Sequence, residues 1–312
     1  MRGEGWDEGD SGSLMSTIDK TFVKKSFNRH ALTYDHNAGL QASLGNLLLE
    51  FLNGATHRES KILDIGMGTG SMTATLMKRF PDVRIHGCDS AVNRVACARS
   101  KDALTSRKEL FITADSEFLP YRSGRFDLVI SSLTYQWLER CDRAFGEVLR
   151  VLKPGGRFLC SAFGEKTFEE LRTSYARACS ESAYTHGEAL QLHFTEDQFL
   201  AMLTSAGFIK PFMCTRLITE HYRTVGDLVR SIKGMGAQNA SDRRNRGLGI
   251  RKVWRRMVER YEKDFGLPGR KEGFEAGWRA GVRNDSQGLL GLLQSLFERR
   301  KVTGGTLSSL KP

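Results

Sequence analysis

Residues 61–70 read Lys-Ile-Leu-Asp-Ile-Gly-Met-Gly-Thr-Gly. Ile62, Leu63 and Ile65 make the apolar run of a buried strand, and Gly66, Gly68 and Gly70 follow at once, before a helical pattern opens. A strand that turns into a helix through glycines lets backbone N–H groups approach a ligand with no side chain in the way. The spacing narrows the ligand. A dinucleotide fingerprint reads G-x-G-x-x-G, but here the third glycine comes one residue early and Asp64 stands two residues before the first. That acid repels a pyrophosphate and suits a cationic ligand carrying an amino group.

Outward from this turn, strand and helix alternate. Strands are predicted at 61–65, 83–88, near 109–113, at 126–131 and at 157–163, with helices over about 70–80, 91–100 and 142–152. This order predicts an α/β fold with a doubly wound, mostly parallel sheet, whose ligands sit at the carboxyl ends of the strands. Polar residues fall at those ends: Asp89 and Ser90 after strand two, Asp115 and Ser116 after strand three, Ser132 after strand four. An acid at the position of Asp89 can accept from both hydroxyls of a ribose. Residues 16–53, 164–192 and 225–265 read as helical caps on this core, 208–222 as a sixth strand, and Thr195-x-x-Gln198 as a capping box whose helix ends at Gly207. The division is then a disordered tail over 1–15, one domain with its caps over 16–265, and an extension over 266–312. In the extension the leucines between 289 and 296 read as a core or oligomer-facing helix.

Bulk composition excludes several classes. The six cysteines form no C-x-x-C and read as reduced cytosolic thiols, and the seven histidines form no H-x-x-x-H pair, so no metal is expected. No apolar run approaches the ~18 residues of a membrane span. The formal charge is +11, and residues 241–301 carry sixteen Lys/Arg against eight Asp/Glu. A basic surface of this kind fits an acidic protein partner better than nucleic acid, with a solvated face as the plain alternative.

The pattern D-x-G-x-G-x-G resembles the cofactor loop of class I S-adenosylmethionine (SAM) methyltransferases. The resemblance implies a Rossmann-like fold and a SAM site formed by Asp64, Gly66, Met67, Gly68, Gly70, Asp89, Ser90, Asp115, Ser116 and Ser132. The segment Ser131-Ser132-Leu133-Thr134-Tyr135 lacks the Pro-Pro motif and the cysteine of enzymes that methylate bases or amides, leaving oxygen, carboxylate or carbon acceptors. Four further stretches are more specific: Phe27–Asp35 with Ala38 and Gln41, Ser132–Trp137, Ser161–Leu171, and Ser231–Asn239. Together they resemble the malonyl-acyl-carrier-protein O-methyltransferases of biotin synthesis, over about residues 20–265.

That resemblance implies methylation of the free carboxylate of a malonyl thioester, on acyl carrier protein or on CoA, with no residue acting as general base. It implies that Tyr34 and Phe194 close the pocket and that Gln136 and Trp137 bound the cleft. Lys233 and Arg29 become candidate cations for the carboxylate, and the basic residues of 241–263 would meet the carrier. Neither membrane nor nucleic acid is expected as partner, and the enzyme would be cytoplasmic. The alternatives are another small-molecule O- or C-methyltransferase of this fold, an RNA methyltransferase, or a scaffold that has lost turnover.

Overall fold

The computed structural model describes residues 18–52, 61–101, 104, 110–182, 194–215, 221–236, 240, 250–266, 276–277 and 292–298. Five strands form the centre: β1 (Lys61–Ile65), β2 (Arg84–Asp89), β3 (Leu110–Thr113), β4 (Phe126–Ser132) and β5 (Leu152–Phe163). β1 pairs in parallel with both β2 and β4, β3 flanks β2, and β5 flanks β4. The register sets Asp64 beside Gly87 of β2 and Ile130 of β4, so the polar ends of neighbouring strands are level.

The sheet is covered on both faces because its strands are apolar at consecutive positions rather than alternate ones. Side chains alternate across a strand. Ile62, Ile85, Leu128, Ile130 and Leu159 accordingly pack one face against Leu48, Leu49 and Leu76. Leu63, Ile65, Val129 and Phe158 pack the other against Phe145, Val148 and Phe199. The helices joining the strands are α4 (Ser71–Arg79), α5 (Val92–Arg99) and α6 (Cys141–Val151). α6 buries Cys141, Ala144, Phe145, Val148 and Val151, the stripe its helical spacing predicts.

The N-terminal cap, predicted as one helical segment, is three helices: α1 (Lys20–Arg29), α2 (Tyr34–Asn37) and α3 (Gly39–Glu50). The cap predicted at 164–192 is α7 (Glu169–Glu181), and residues 183–193 lie outside the described part. Thr195 and Gln198 form the predicted reciprocal cap on α8 (Glu196–Ala206), which stops at Gly207 with φ +100°. The strand predicted over 208–222 is shorter: β6 covers Ile209–Cys214, and β7 (His221–Tyr222) pairs instead with β8 (Ala276–Gly277). The last cap divides into α9 (Val225–Gly234) and α10 (Ile250–Phe265).

The C-terminal leucines differ most from expectation. Leu292–Glu298 is a strand, β9, antiparallel to β5 on one side and β6 on the other. A short apolar run cannot be assigned to helix or strand by periodicity alone. The open backbone edges of β5 and β6 decide it, since each offers unpaired N–H and C=O groups that a strand satisfies. The sheet order is β3-β2-β1-β4-β5-β9-β6. Leu289 and Leu290, like the predicted tail 1–15, lie outside the described residues. Among the described residues no helix is long and apolar enough to cross a membrane.

Candidate functional site

The turn after β1 is built as its glycines require. Gly66, Gly68 and Gly70 hold φ of +72°, +57° and +82°, the left-handed region that L side chains avoid. At Gly66 a Cβ would also collide with the Thr134 hydroxyl. The N–H groups of Gly66 and Met67 donate to the Cys88 carbonyl at 2.8 and 3.0 Å, which ties the loop to β2. Asp89 takes the next two donors: Gly68 N–H reaches Oδ2 at 3.0 Å and Ala91 N–H reaches Oδ1 at 2.8 Å. Asp89 therefore braces the glycine loop while facing a cavity of about 570 Å³ at the strand ends.

Asp64 is placed differently from the sequence expectation. It is fully buried behind the loop, accepting from Thr73 Oγ1 at 2.6 Å, and it does not line the cavity. Its Oδ1 has no hydrogen-bond partner among the described residues. Burial, reinforced by the nearby Asp89 charge against the Thr73 hydrogen bond, pushes its pKa up to about 7. Strand alternation explains the placement: Ile65 faces the cavity, so Asp64 faces α4.

Of the remaining predicted cofactor residues, Gly66, Met67, Ser90, Asp115, Ser116 and Ser132 line the cavity, whereas Gly68 and Gly70 shape the turn without lining it. Tyr34 and Gln136 also line it, as does Trp137, whose ring meets Phe27 edge-on at 5.4 Å. Phe194, Arg29 and Lys233 do not. Phe194 packs on Phe199, with ring centroids 5.7 Å apart, and bridges Gly164. Arg29 is exposed at the end of α1, and Lys233 sits in the last turn of α9.

The roof over the cavity brings residues that sequence reasoning missed. Lys20 of α1 bonds Asp115 at 2.7 Å and Glu117 at 3.0 Å. Burial alone would lower the Lys20 pKa, but these two acids outweigh it and hold the ammonium above its usual value. Asp35 of α2 accepts from Thr69 Oγ1 at 2.5 Å and pairs with Lys101 at 2.7 Å. Burial opposes ionisation of Asp35, yet Lys101 and Thr69 keep its carboxyl below the usual range. Arg94, in the first turn of α5, inserts its guanidinium against the rings of Phe27 and Tyr34. Asp35 closes the Phe27–Asp35 stretch singled out above, but nothing local marks Lys20 or Arg94, or says what Asp35 meets. Each looks like an ordinary charge on a solvated helix, and only the fold joins them to partners tens of residues away.

The cavity wall is divided in character. At the β2 and β3 ends it is acidic, through Asp89 and Asp115; near β4 and β5 it is apolar and hydroxylic, through Leu133, Phe163 and Ser132. Ser132 and Ser161 hydroxyls lie 3.1 Å apart. Leu133 holds φ +54°, a strained value for a residue with a Cβ and a feature that clusters at working sites. Burial raises the Tyr34 pKa, with Arg94 opposing, so its phenol stays protonated and can donate at neutral pH. The two acids at the β2 and β3 ends offer acceptors to hydroxyl and amino donors, such as those of a purine riboside.

A family model described as "Methyltransferase domain" matches residues 63–160. A malonyl-[acyl-carrier protein] O-methyltransferase of Geobacter sulfurreducens is 36% identical over 249 residues, spanning 80% of this chain and 93% of the relative. The protein of the same name from Methylococcus capsulatus is 34% identical, spanning 83% and 91%. Among solved structures, a candidate methyltransferase of Bacillus halodurans superposes with a TM-score of 0.54 at 16% identity, covering 83% of this chain and 99% of that one. Phosphoethanolamine N-methyltransferase 2 of Haemonchus contortus, in complex with S-adenosyl-L-methionine, does so at 0.50 and 15% identity, covering 88% and 57%. At these identities the structural likenesses show the fold alone.

Proposed function

The chain belongs to the malonyl-[acyl-carrier protein] O-methyltransferases, and from that membership we propose that it methylates the free carboxylate of a malonyl group held as a thioester on acyl carrier protein. The cofactor is SAM, whose positively charged sulfur supplies the methyl group. The residues offered to it are Gly66, Met67, Asp89, Ser90, Asp115 and Ser116 on the cavity wall, with Asp64, Gly68 and Gly70 setting the loop.

What the chain must do follows from the acceptor. A carboxylic acid with pKa ~4 is ionised at neutral pH. No proton has to be removed, and no general base is needed. The tasks left are to exclude water, which blunts an anion, and to hold the carboxylate in line. Orientation of this kind supplies ~7–11 kcal/mol in favourable cases. Helices α1 and α2, with the first part of α3, roof the cavity and perform the exclusion.

A buried carboxylate needs donors. The Tyr34 phenol, the Ser132 hydroxyl and the Gln136 amide line the cavity and are the donors proposed. Arg29 and Lys233 stand off the wall and are not carried forward as its partners. Methylation removes the distal charge, so the malonyl end comes to resemble an ordinary acyl chain.

Arg251, Lys252 and Arg255 are exposed on α10 and offer the basic face suited to an acidic carrier. Cys88, Cys97, Cys141, Cys160 and Cys179 are free thiols, which supports a cytoplasmic setting.

The observation that carries the reading is the joining, in one cavity, of the acids at the β2 and β3 ends with Tyr34 and Gln136 under the roof. The test is transfer of labelled methyl from SAM to malonyl carrier protein, with acetyl carrier protein as control and malonyl-CoA as third substrate. Label in the malonyl carrier alone, or in both malonyl thioesters, supports the function and reads carrier preference directly. Equal label in malonyl and acetyl carriers, or none in any, rejects it.

A further inference from the structure

The chemistry above gives no task to the buried guanidinium of Arg94. Its residue is 6% exposed and lies in the cavity wall. Burying a cation is costly unless something replaces its water, and no carboxylate pairs with it among the described residues. Two rings and one carbonyl stand in. The guanidinium carbon lies 3.9 Å from the Phe27 ring centroid and 4.3 Å from that of Tyr34. Nη2 donates to the Met235 carbonyl at 2.9 Å. Nε makes no hydrogen bond among the described residues.

The origin of these partners matters. Phe27 is on α1, Tyr34 opens α2, and Met235 follows α9; Arg94 belongs to the floor, five residues beyond Asp89. One side chain thus gathers three roof segments at the cofactor end of the cavity. Tyr34 is itself the wall next to the glycine loop, since a Cβ on Gly68 would lie 3.8 Å from its ring. Arginine suits the place: its planar, weakly hydrated group stacks on aromatic faces while still donating in its plane.

We propose that Arg94 is a positioning residue of the cofactor site: lying against the rings of Phe27 and Tyr34, it fixes both as cavity wall and so sets how tightly, and for how long, the cofactor is retained. The proposal rests on reading this cavity as the SAM site. It does not depend on the identity of the methyl acceptor.

The test uses the full chain with Arg94→Met, which keeps length and apolar bulk, and Arg94→Lys, which keeps the charge without the plane. S-adenosylhomocysteine is the probe, its affinity read by calorimetry and its dissociation rate by stopped-flow, with KM for SAM and kcat measured alongside. For a folded Arg94→Met we expect affinity about tenfold weaker, the loss of about 1.4 kcal/mol. Dissociation should be faster by a similar factor, and KM should rise by more than kcat falls. Arg94→Lys should lie between this and wild type.

Affinity and dissociation rate within twofold of wild type in folded Arg94→Met would overturn the proposal, as would a fall in kcat with KM unmoved. Should Arg94→Met not fold, Arg94→Lys decides: dissociation at least threefold faster supports the proposal, and an unchanged rate ends it. Wild-type binding of S-adenosylhomocysteine separates this outcome from the function. A wild type that binds the probe but methylates no malonyl thioester rejects the function and leaves Arg94 testable; one that does not bind rejects both.

Discussion

The floor of the cavity and its roof are held by different forces. The floor is sheet and flanking helices, and residues such as Leu63, Val129, Phe145 and Phe158 are wholly removed from water. Its stability comes from apolar burial, of order 25 cal/mol per Å², shared across the whole core. The N-terminal roof buries some apolar surface through Val23 and Phe27, but it meets the strand ends largely through polar groups: Lys20 on Asp115, Asp35 on Thr69 and Lys101, Asn28 on Asn93. Contacts of the first kind fail together, when the protein unfolds. Contacts of the second kind can break locally at small cost. The comparison sets a layer held by apolar burial against one that meets the strand ends largely through polar contacts, with the cavity between them.

The largest expected effect tests the floor. Phe145→Ala empties a site ringed by Tyr135, Phe158 and Phe199 and should cost about 3–5 kcal/mol of stability, read by urea denaturation. A loss below about 1 kcal/mol would mean that the aromatic cluster does not bear the fold.

The next effect is one of pH. The folded-state pKa of Asp64 is raised to about 7, above the ~3.9 of an unfolded chain. The folded protein therefore binds the extra proton, and this contribution is fully present below pH 4 and lost as pH rises to 7. The wild type without cofactor should lose up to about 4 kcal/mol over that window relative to Asp64→Asn. Parallel pH–stability curves for the two proteins would remove the buried acid from the account.

Asp89→Ala addresses the boundary between the two layers. It deletes the acceptor of the Gly68 and Ala91 N–H groups together with the expected ribose contact. Charge-assisted bonds of this kind are worth about 1.5–3 kcal/mol, so S-adenosylhomocysteine affinity should fall roughly tenfold to a hundredfold. Unchanged calorimetric affinity would show that the brace is dispensable.

Lys101→Ala should do least. Its pair with Asp35 is partly exposed, and such pairs contribute under about 1 kcal/mol. The melting temperature should hold within a degree or two while cofactor dissociation quickens modestly. A drop of several degrees would put this ion pair among the folding contacts and blur the distinction between floor and roof.

The same contrast explains what the sequence disclosed. The strands of the floor are written locally, as apolar runs such as Phe126–Ser131 and as glycines at left-handed positions. Asp89 and Asp115 were legible because a strand end fixes where the next residue points. The roof was legible as helix but not as contact. Lys20, Asp35 and Arg94 gain their meaning from neighbours distant in the chain, and the chain direction leaves Phe194, Arg29 and Lys233 off the cavity wall although their motifs suggested otherwise. The face of the strand on which Asp64 lies was not legible, because the run 61–65 is apolar on both sides.

One consequence concerns synthesis on the ribosome. β6 ends at Cys214, yet the strand that joins it to the sheet begins only at Leu292. At ~5–20 residues per second, the interval between them lasts on the order of seconds. Throughout that time the nascent chain displays two naked edges, β5 and β6, which invite pairing with a neighbouring polypeptide. A message cut short before Leu292 should therefore yield clumped product rather than a slightly weakened enzyme, even though every residue of the cavity wall would already have been translated.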